Sequence, residues 1–529
     1  MKQATKKSSP PAELIASLLN AEIYPHPVNE LQLIETHISW VILTGLFAYK
    51  IKKPVNLGFL DFSTLAQRKL YCEEELRLNR RTAPSIYLGV VTITGSASQP
   101  QLQEDADSDG DAIEYAVKMR QFPQDAQLDH LLEQGGLNAS HMDAFARLVA
   151  GFHQQIDVAA ADDDYGEPAQ VMQPVEENFS QIGERRLTAE QQTLLDELQQ
   201  WSMTEFQRLE TRLLERKQQG FIRECHGDMH LRNLAWIDEQ PVAFDGIEFN
   251  ANLRWIDVIS EVAFLVMDLQ DRNQPELAQR FLNGYLERSG DYVGTALLPF
   301  YLVYRALVRA KVAAIRAGQE DIEDAERSRL QDEMTDYLRL AQSYTQMQGE
   351  HLIIAHGLSG SGKTTLTQPL LEQLPAIRIR SDVERKRLAG LEATERANAE
   401  PGEGIYTPQY SEQTYGCLLE LASQILDAGY NVIVDATFLL KNQRDMFQQL
   451  AEVKNTAFHI LNFSARTETL QQRIKQRSGD ASDADLEVLQ KQLDTVEEFT
   501  ADEKSFVIDI DTETQTAIGP HVFNSGSEY

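Results

Sequence analysis

Two patterns of apolar and polar positions divide the chain. In the first part, strand-length apolar segments bounded by turns precede long stretches with helical spacing. The predicted strands are 36–44, 46–52, 85–94 and 113–119. The predicted helices are 11–19, 64–81, most of 125–220, and most of 255–341. Gly45 is expected to form the turn of a hairpin between the first two strands. Strands followed by helices favour an α+β arrangement here.

From about residue 350 onward, short apolar runs alternate with helical stretches. This alternation predicts a parallel sheet with crossover helices, and ligands collect at the carboxyl ends of such strands. The runs are 351–356, 376–380, 431–435, 457–463 and 505–510. We therefore expect an α/β domain over 350–529. A first domain is expected over 20–345, after a tail and short helix over 1–19.

Composition and charge narrow the class of protein. A chain of 529 residues exceeds one hydrophobic core, and 42% hydrophobic with 25% charged residues is ordinary for globular proteins. The net charge of −32 argues against binding to nucleic acid or to anionic membranes. Three cysteines, no apolar leader and no 18-residue apolar run favour the cytoplasm and no membrane span. The oligomeric state is left open.

A glycine-rich loop opens the second part, between a predicted strand and a predicted helix. It fits the pattern G-x-x-x-x-G-K-[ST]. The expected nucleotide-binding residues are Gly357, Leu358, Ser359, Gly360, Ser361, Gly362, Lys363, Thr364 and Thr365. Glycines let successive backbone N–H groups wrap around phosphate. Lys363 is expected to reach the β- and γ-phosphates, and the Thr364 hydroxyl to ligate Mg²⁺. The segment predicts an ATP- and Mg²⁺-binding P-loop.

Other polar residues follow the predicted strands of this part. Asp435 ends the third strand, in the place of a Walker B-like metal aspartate, and Asp382 and Arg385 follow the second strand. Arg473 and Arg477 lie four residues apart, so they share a helical face and suit a lid that closes on phosphate. Two solvent-exposed arginines would show the same spacing.

The first part carries a second set of candidate residues. Asn233 follows Asp228 of the segment His226-Gly-Asp by five residues, and Asp245 ends an apolar strand twelve residues later. This is the spacing of the kinase catalytic loop, in which the first aspartate accepts the substrate hydroxyl proton. Carboxylate and amide oxygens are ligands that Mg²⁺ prefers. Asp228 is therefore the candidate base, and Asn233 and Asp245 are the candidate metal ligands.

A lysine and a glutamate are the nucleotide-binding candidates of this set. Lys50 lies on the second predicted strand, with Lys52 on the same face. A glutamate of the following helix can pair with the strand lysine, as in protein kinases. We assign Lys50 and Glu75. The alternatives Lys52 and Glu74 stay open, as does an interpretation of all four as solvated charges.

An acidic stretch over 104–111 matches the start of an EF-hand calcium loop. The match fails at the twelfth position, where Ala116 replaces the required bidentate glutamate. Predicted strands flank the stretch where helices would be needed. We expect an exposed loop without a calcium site.

The first set resembles the aminoglycoside phosphotransferase family over roughly residues 20 to 345. The residues that carry the resemblance are Lys50, Glu75, His226, Gly227, Asp228, Asn233 and Asp245. It implies a protein-kinase-like, two-lobed fold that phosphorylates small-molecule hydroxyl groups. The second part resembles P-loop kinases of the polynucleotide kinase and gluconate kinase type, through its P-loop and the D-x-x-R of Asp382 and Arg385. That resemblance implies that Asp382 is the general base and that Arg385 orients the acceptor.

The order of the two parts is similar to that in a bacterial group of bifunctional phosphotransferase/ATP-binding proteins. The expectation is a cytoplasmic kinase with one ATP·Mg²⁺ site in each domain, both acting on small-molecule hydroxyl groups. Two alternatives stay open. One domain could bind nucleotide only to regulate the other, or the second part could be a polynucleotide or zeta-toxin-like kinase. The sequence names neither acceptor.

Overall fold

The computed structural model describes residues 10–56, 58, 60–104, 111–319, 322–346, 349–393, 395, 404–476, 482, 484–515, 517–519 and 523. Most of the acidic stretch, 105–110, and Arg477 lie outside these residues. In chain order the strands are β1 (Gln32–Glu35), β2 (Ser39–Leu43), β3 (Phe47–Lys52), β4 (Tyr87–Ser96), β5 (Gln99–Gln103), β6 (Ala112–Arg120), β7 (Ile222–Glu224), β8 (Leu234–Ile237), β9 (Gln240–Ala243), β10 (Trp255–Asp257), β11 (His351–His356), β12 (Ala376–Arg380), β13 (Asn431–Asp435), β14 (Ala457–Ser464) and β15 (Val507–Asp511).

The α-helices follow the apolar periodicity of the sequence. They are α1 (Pro10–Leu18), α2 (Leu65–Asn79), α3 (Leu128–Glu133), α4 (Ala139–Gln155), α5 (Pro168–Gly183), α6 (Ala189–Gln218), α7 (Val258–Asp271), α8 (Pro275–Ser289), α9 (Leu298–Ala317), α10 (Asp324–Tyr344), α11 (Lys363–Gln373), α12 (Ser381–Leu388), α13 (Pro408–Asp427), α14 (Lys441–Lys454), α15 (Thr467–Gln476) and α16 (Leu486–Thr495).

The chain divides into two compact units. The first unit consists of Met1–Leu137, Gln155–Gln170 and Leu214–Glu261, and the second unit consists of Asn138–Gln154, Val171–Leu213 and Val262–Tyr529. The second unit therefore groups α8, α9 and α10 with all the strands from β11 onward. The domains 20–345 and 350–529 remain predictions from the sequence.

An antiparallel sheet forms the core of the first unit. Its strand order is β1-β2-β3-β6-β4-β5. Strands β2 and β3 form the predicted hairpin, and Gly45 takes the positive φ of 92° that its turn requires. One face of the sheet packs Ile42, Tyr49 and Ile51 into a hydrophobic cluster. Because side chains alternate along a strand, Lys50 and Lys52 extend from the opposite face, toward α2.

Helix α2 brings its glutamates to this face of the sheet. The Thr64 hydroxyl accepts a hydrogen bond from the Gln67 N–H, and the Gln67 side chain reaches back to the Thr64 N–H, so a capping box starts the helix. Two small antiparallel ribbons, β7 with β10 and β8 with β9, hold the segments that follow. The loops of these ribbons carry the candidate catalytic residues.

A fully parallel sheet forms the core of the P-loop part of the second unit. Its strand order is β12-β13-β11-β14-β15, and every pairing is parallel. Ile353, Ile433 and Leu461 of its inner strands share one hydrophobic cluster with Leu370 of α11. The carboxyl ends of β11, β12 and β13 lie side by side, so the polar residues that follow them meet at one edge.

The predicted elements are confirmed with small shifts in their ends. All five predicted strands of the second part are present. Five strands, β1, β5, β7, β8 and β10, were not predicted, and β10 replaces the predicted start of a helical region. One stretch, Tyr292–Ala317, is apolar and long enough to cross a membrane, but 83% of its most apolar window is buried inside the protein. A buried core helix passes the same test, so this is weak evidence for a span.

Candidate active sites

The segment His226-Gly-Asp228 is held in a tight loop after β7. Glu261 accepts hydrogen bonds from the backbone N–H of His226 at 3.2 Å and of Gly227 at 2.7 Å. Gly227 has a φ of 87°, and a Cβ there would lie 2.8 Å from the Leu253 carbonyl oxygen. Only glycine fits such a position without strain. The loop thus presents Asp228 from a fixed backbone.

His226 locks this loop to the segment that carries Asp245. Its Nε2 lies 2.9 Å from the Phe244 carbonyl oxygen, and its Nδ1 lies 3.3 Å from the Asp228 backbone N–H. The first contact needs a proton on Nε2 and the second needs a bare Nδ1, so the neutral Nε2–H tautomer fits both. Burial lowers the pKa of His226, which also favours the neutral ring. His226 is a structural connector between the two loops.

Asn233 and Asp228 lie in direct contact. The Asn233 amide donates from Nδ2 to the Asp228 carboxylate and to the Asp228 carbonyl oxygen, both at 2.9 Å. With its nitrogen held in this way, the Asn233 side-chain oxygen is turned away from Asp228. The antiparallel β8–β9 ribbon then brings the chain back next to Asn233. The Phe244 N–H donates to the Asn233 carbonyl oxygen at 2.9 Å. The spacing noted in the sequence thereby brings Asp245 back beside this loop.

Lys50 joins Glu75 to Asp245. Its Nζ lies 2.8 Å from Glu75 Oε1 and 2.5 Å from Asp245 Oδ1. The Asp245 side chain is 47% exposed, and its residue has a φ of 62°, so the backbone turns this carboxylate outward. Burial alone would raise the pKa of Glu75, but Lys50 and Lys52 overcome this and hold it at about 2. Glu75 is therefore a fixed anion at physiological pH.

The second lysine has a different environment. Lys52 is fully buried, donates to Glu75 Oε2 at 2.8 Å, and also pairs with Glu248. Glu74 instead pairs with Arg77 and Arg254. Of the residues left open by the sequence, Lys50 and Glu75 are thus the two that extend toward Asp245. We call Lys50, Glu75, Asp228, Asn233 and Asp245 the catalytic-loop site.

The oxygen atoms of this site suit a hard divalent cation. Asp245 offers an exposed carboxylate, and Asn233 offers an amide oxygen fixed by its own Nδ2 contacts. Both are oxygen donors of the kind that Mg²⁺ takes. Lys50 provides the adjacent cation for phosphate oxygens. The donor set therefore fits a metal–nucleotide complex.

The P-loop site is built on the carboxyl end of β11. Gly357 has no room for a Cβ, which would lie 2.6 Å from the Phe463 carbonyl oxygen, and its N–H donates to the Thr437 carbonyl oxygen at 3.1 Å. Gly360 and Gly362 have φ values of 80° and 88°, and Gly362 immediately precedes α11. Leu358 packs against the cluster formed by α15 and α16. The loop is therefore wound tightly at the start of a helix, as phosphate binding requires.

The P-loop side chains point into the wound loop. Lys363 Nζ donates to the carbonyl oxygens of Gly357 at 2.8 Å and Leu358 at 3.0 Å, and lies 3.5 Å from Ser361 Oγ. Gln492 of α16 accepts a hydrogen bond from the Ser359 N–H at 2.8 Å and donates to the Ser359 hydroxyl at 3.0 Å. The Lys363 ammonium can therefore exchange the carbonyl oxygens of Gly357 and Leu358 for phosphate oxygens while it stays within the loop.

Thr364 and Asp435 meet as the sequence pattern predicted. The Thr364 hydroxyl donates to Asp435 Oδ2 at 2.6 Å. A hydroxyl and a carboxylate so close together form a pair of hard oxygen ligands for a divalent cation. The following residue, Thr365, is exposed on the first turn of α11.

Three arginines, Arg473, Arg477 and Arg385, are the next candidates of the P-loop site. Arg473 donates to Thr512 Oγ1 and to the Thr512 carbonyl oxygen, both at 2.9 Å, and its Nη1 is 3.4 Å from the Gly360 carbonyl oxygen. It thus lies beside the P-loop, whereas Arg477 falls outside the described residues. Arg385 donates from Nη1 to the Ile405 carbonyl oxygen and to Ser411 Oγ, both at 3.1 Å.

Asp382 lies on the first turn of α12 but does not cap it. The N-cap position is Arg380, which makes no side-chain capping bond. Burial, and to a smaller extent the nearby Asp382 carboxylate, raises the pKa of Tyr415. The Tyr415 hydroxyl accepts a hydrogen bond from the Phe438 N–H at 3.1 Å and lies 3.4 Å from Thr437 Oγ1. The Asp382 carboxylate therefore acts electrostatically on a tyrosine that contacts the loop after β13, and Thr437 of this loop contacts the P-loop.

Sequence reasoning missed several residues that support these sites. Glu248 and Glu261 act on the catalytic-loop site, and Arg378, Arg380 and Gln492 surround the P-loop site. Glu248 follows Asp245 by three residues, a spacing that could have drawn attention to it. The others act through long-range packing, for which the sequence carries no local signal.

The chain is similar to one protein-family model and to several solved structures. A family model described as AAA domain matches residues 352–499, which span the P-loop sheet up to α16. The amicoumacin kinase hAmiN structure is 14% identical, with 62% of this chain and 93% of that chain covered and a TM-score of 0.38. A gluconokinase structure from Sinorhizobium meliloti 1021 is 20% identical, with 32% and 86% covered and a TM-score of 0.24.

The observed sheets confirm the predicted α+β arrangement of the first part and the predicted parallel α/β sheet of the second part. The family match over 352–499 supports a nucleotide-binding P-loop domain in the second part of the chain. Rv2004c of Mycobacterium tuberculosis (strain ATCC 25618 / H37Rv), a relative described as uncharacterized, is 30% identical over 469 residues. The match covers 88% of this chain and 90% of the relative. The chain therefore belongs to the same protein family as Rv2004c.

Proposed function

We propose that the chain carries two phosphoryl-transfer sites, each using ATP and Mg²⁺ to phosphorylate a hydroxyl group of a small molecule. One observation carries the proposal. Each site has its own cation, its own pair of oxygen ligands and its own base candidate, and each lies within a single compact unit. A domain that only sensed nucleotide would not need a base candidate in addition to its phosphate-binding residues.

In the catalytic-loop site, Asp228 is the proposed base for the acceptor hydroxyl. Its amide contact with Asn233 orients the carboxylate, and the rigid glycine loop limits its movement. Lys50, held by Glu75, would bind phosphate oxygens of ATP. Asn233 and Asp245 would hold Mg²⁺, which supplies neutralisation of the phosphate charge when bound. In that state Lys50 would exchange its contact with Asp245 for one with phosphate.

In the P-loop site, backbone N–H groups and Lys363 would bind the phosphates, and Thr364 with Asp435 would hold Mg²⁺. Asp382 is the proposed base, and Arg385 is proposed to orient the acceptor. The chief alternative is that Asp382 only caps α12, but Asp382 is the second residue of the helix, two positions after the N-cap Arg380. A favourable interaction with the helix dipole, worth about 0.3–1 kcal/mol, would leave the carboxylate available for chemistry.

Replacing Asp382 with asparagine tests the P-loop half of the proposal. The variants carry Asp228→Asn as well, so that only the P-loop site can transfer phosphate. We expect unchanged ATP affinity by calorimetry. Transfer of labelled γ-phosphate into a metabolite pool should fall by roughly 10²–10⁴, the usual scale for a general base. Asp445→Asn, which breaks an exposed pair with Lys441 on α14, serves as the matched control.

Three outcomes have distinct meanings. Loss of labelled product in Asp382→Asn, with the control unchanged, supports the assignment of the base. Full product formation in Asp382→Asn removes Asp382 from the chemistry. No labelled product from the Asp228→Asn parent, despite ATP binding, would instead favour a P-loop domain that binds nucleotide to regulate the other site.

A further inference from the structure

Two arginines of edge strand β12 lie between the P-loop site and helix α8. Arg380 is the residue directly paired with Asp435 in the β12–β13 register. Its Nε lies 3.8 Å from Asp435 Oδ2, while its Nη1 lies 3.1 Å from Glu287 Oε1 on α8. Arg378, two residues earlier on the same strand face, donates to the Thr364 carbonyl oxygen at 2.9 Å and lies 3.9 Å from Glu287 Oε2. One carboxylate of α8 therefore faces both arginines.

Helix α8 is held on this strand by direct contacts. Asn283 donates to the Ala376 carbonyl oxygen at 2.9 Å and accepts from the Arg378 N–H at 2.8 Å, so its amide fills the edge of β12 as a neighbouring strand would. Arg387 donates to the Glu287 carbonyl oxygen at 2.6 Å. These contacts hold α8 one turn before Glu287 and at the Glu287 carbonyl group itself, so its carboxylate stays opposite Arg380.

Besides a metal ion, the Asp435 carboxylate can pair with the Thr364 hydroxyl and with the Arg380 guanidinium. Its Oδ2 already accepts the Thr364 hydroxyl at 2.6 Å, and its side chain is only 6% exposed. If the Arg380 guanidinium formed a direct hydrogen-bonded ion pair with this carboxylate, it would neutralise the charge that attracts a divalent cation. Glu287 competes for the same guanidinium and holds it closer to itself than to Asp435.

We propose that Glu287 is a positioning residue for the P-loop site. By pairing with Arg380, Glu287 prevents Arg380 from binding Asp435, so that Asp435 and Thr364 stay available to a divalent cation. The inference rests on the proposed function of that pair as metal ligands. It also means that a helix of the first predicted domain, 20–345, supports the metal site of the second predicted domain, within one compact unit.

The test measures metal binding directly in the full chain. Mn²⁺ binding in the presence of ATP is followed by electron paramagnetic resonance, with Asp245→Asn in every variant to weaken the other metal site. Glu287→Gln should raise the Mn²⁺ dissociation constant by about tenfold or more, the scale of one charge-assisted hydrogen bond. Adding Arg380→Gln should restore the parent constant to within about threefold, because the guanidinium that lies 3.8 Å from Asp435 is then removed.

Arg280→Gln is the matched control. Arg280 also lies on α8, and it pairs with Asp143 and with Glu372 of α11, away from Asp435. If Glu287 acts only by holding α8 in place, Arg280→Gln will weaken Mn²⁺ binding as much as Glu287→Gln does. The proposal expects no change in Arg280→Gln.

Several results would overturn the inference. These are unchanged Mn²⁺ affinity in Glu287→Gln, or a loss that Arg380→Gln does not recover. If Glu287→Gln does not fold, the Mn²⁺ affinity of Arg380→Gln alone still tests the inference. Its Mn²⁺ affinity should equal or exceed that of the parent, and a tenfold loss would mean that Arg380 supports Asp435 instead. ATP binding retained in Lys363→Ala would refute the proposed P-loop function itself, not the role of Glu287.

Discussion

Replacing Lys52 with methionine removes one of the two ammonium groups that share Glu75. Lys52 and Glu75 are both fully buried, and its other partner, Glu248, is 5% exposed. Removing one partner of a buried ion pair typically costs about 3–5 kcal/mol, because the remaining charge is left without compensation. Here Glu248 is left with no ammonium in contact, while Glu75 keeps Lys50. We therefore expect a loss of about 3 kcal/mol in unfolding free energy, at the lower end of that range.

Lys50→Met provides the contrast. Lys50 is 12% exposed, and its partner Asp245 is 47% exposed, so solvent screens part of that interaction. Glu75 would keep its contact with Lys52, and the loss should be closer to about 1 kcal/mol. ATP-dependent turnover of the catalytic-loop site should nevertheless fall sharply, because Lys50 is the lysine that extends to Asp245. Lys52→Met should instead lower the unfolding free energy, and its turnover should fall only under conditions in which the variant unfolds.

Urea unfolding followed by tryptophan fluorescence is a suitable assay for both variants. Three of the four tryptophans, Trp40, Trp236 and Trp255, belong to the first unit, so the signal reports chiefly on that unit. Glu248→Gln added to Lys52→Met should recover part of the lost stability, since it removes the orphaned charge. A stable Lys52→Met variant without turnover, beside an active Lys50→Met variant, would reverse the two roles and refute the reasoning.

The catalytic-loop site should separate base from metal ligand. Asp228→Asn should lower turnover by roughly 10²–10⁴ with ATP affinity little changed, whereas Asp245→Asn should weaken metal-dependent ATP binding in calorimetry; identical behaviour of the two would contradict the assignment. The pKa of His356 is lowered to about 4, chiefly by burial. The unfolded chain, with a histidine pKa near 6.5, then binds more protons than the folded chain. Stability should fall by up to about 3 kcal/mol as the pH drops from 6.5 to 4 and level off below. Scanning calorimetry across pH should show a smaller fall in His356→Asn, and an unchanged profile would show that this histidine titrates normally.

The strands of the P-loop sheet were predictable because each is a short, mainly apolar run between helical stretches, and all five appear near their predicted ends. The spacing of Asp228, Asn233 and Asp245 was equally visible, because a local ribbon sets it. Strand β5 was missed because Gln99-Pro-Gln-Leu-Gln103 is mostly polar and contains a proline, which an edge strand tolerates. Strand β1 has only four residues at the opposite edge of the sheet.

The supporting carboxylates could not be found in the sequence. Glu261 reaches the His226-Gly loop from more than thirty residues away. Glu287 lies 93 residues from Arg380. Such contacts depend on how helices pack, and the local pattern around either glutamate is that of an ordinary helix. The alternative of Lys52 stayed open in the sequence for a related reason, since both lysines lie on one strand face and only the surrounding fold buries one of them completely.

The central claim is that the chain holds two independent phosphoryl-transfer sites. The most direct measurement follows labelled γ-phosphate from ATP into a metabolite pool with the full chain, Asp228→Asn, Lys363→Ala and the double variant. The account predicts two sets of labelled products, one lost in each single variant and both lost in the double variant. A single set of products that disappears in both single variants would contradict it, and would leave one site as a regulator of the other.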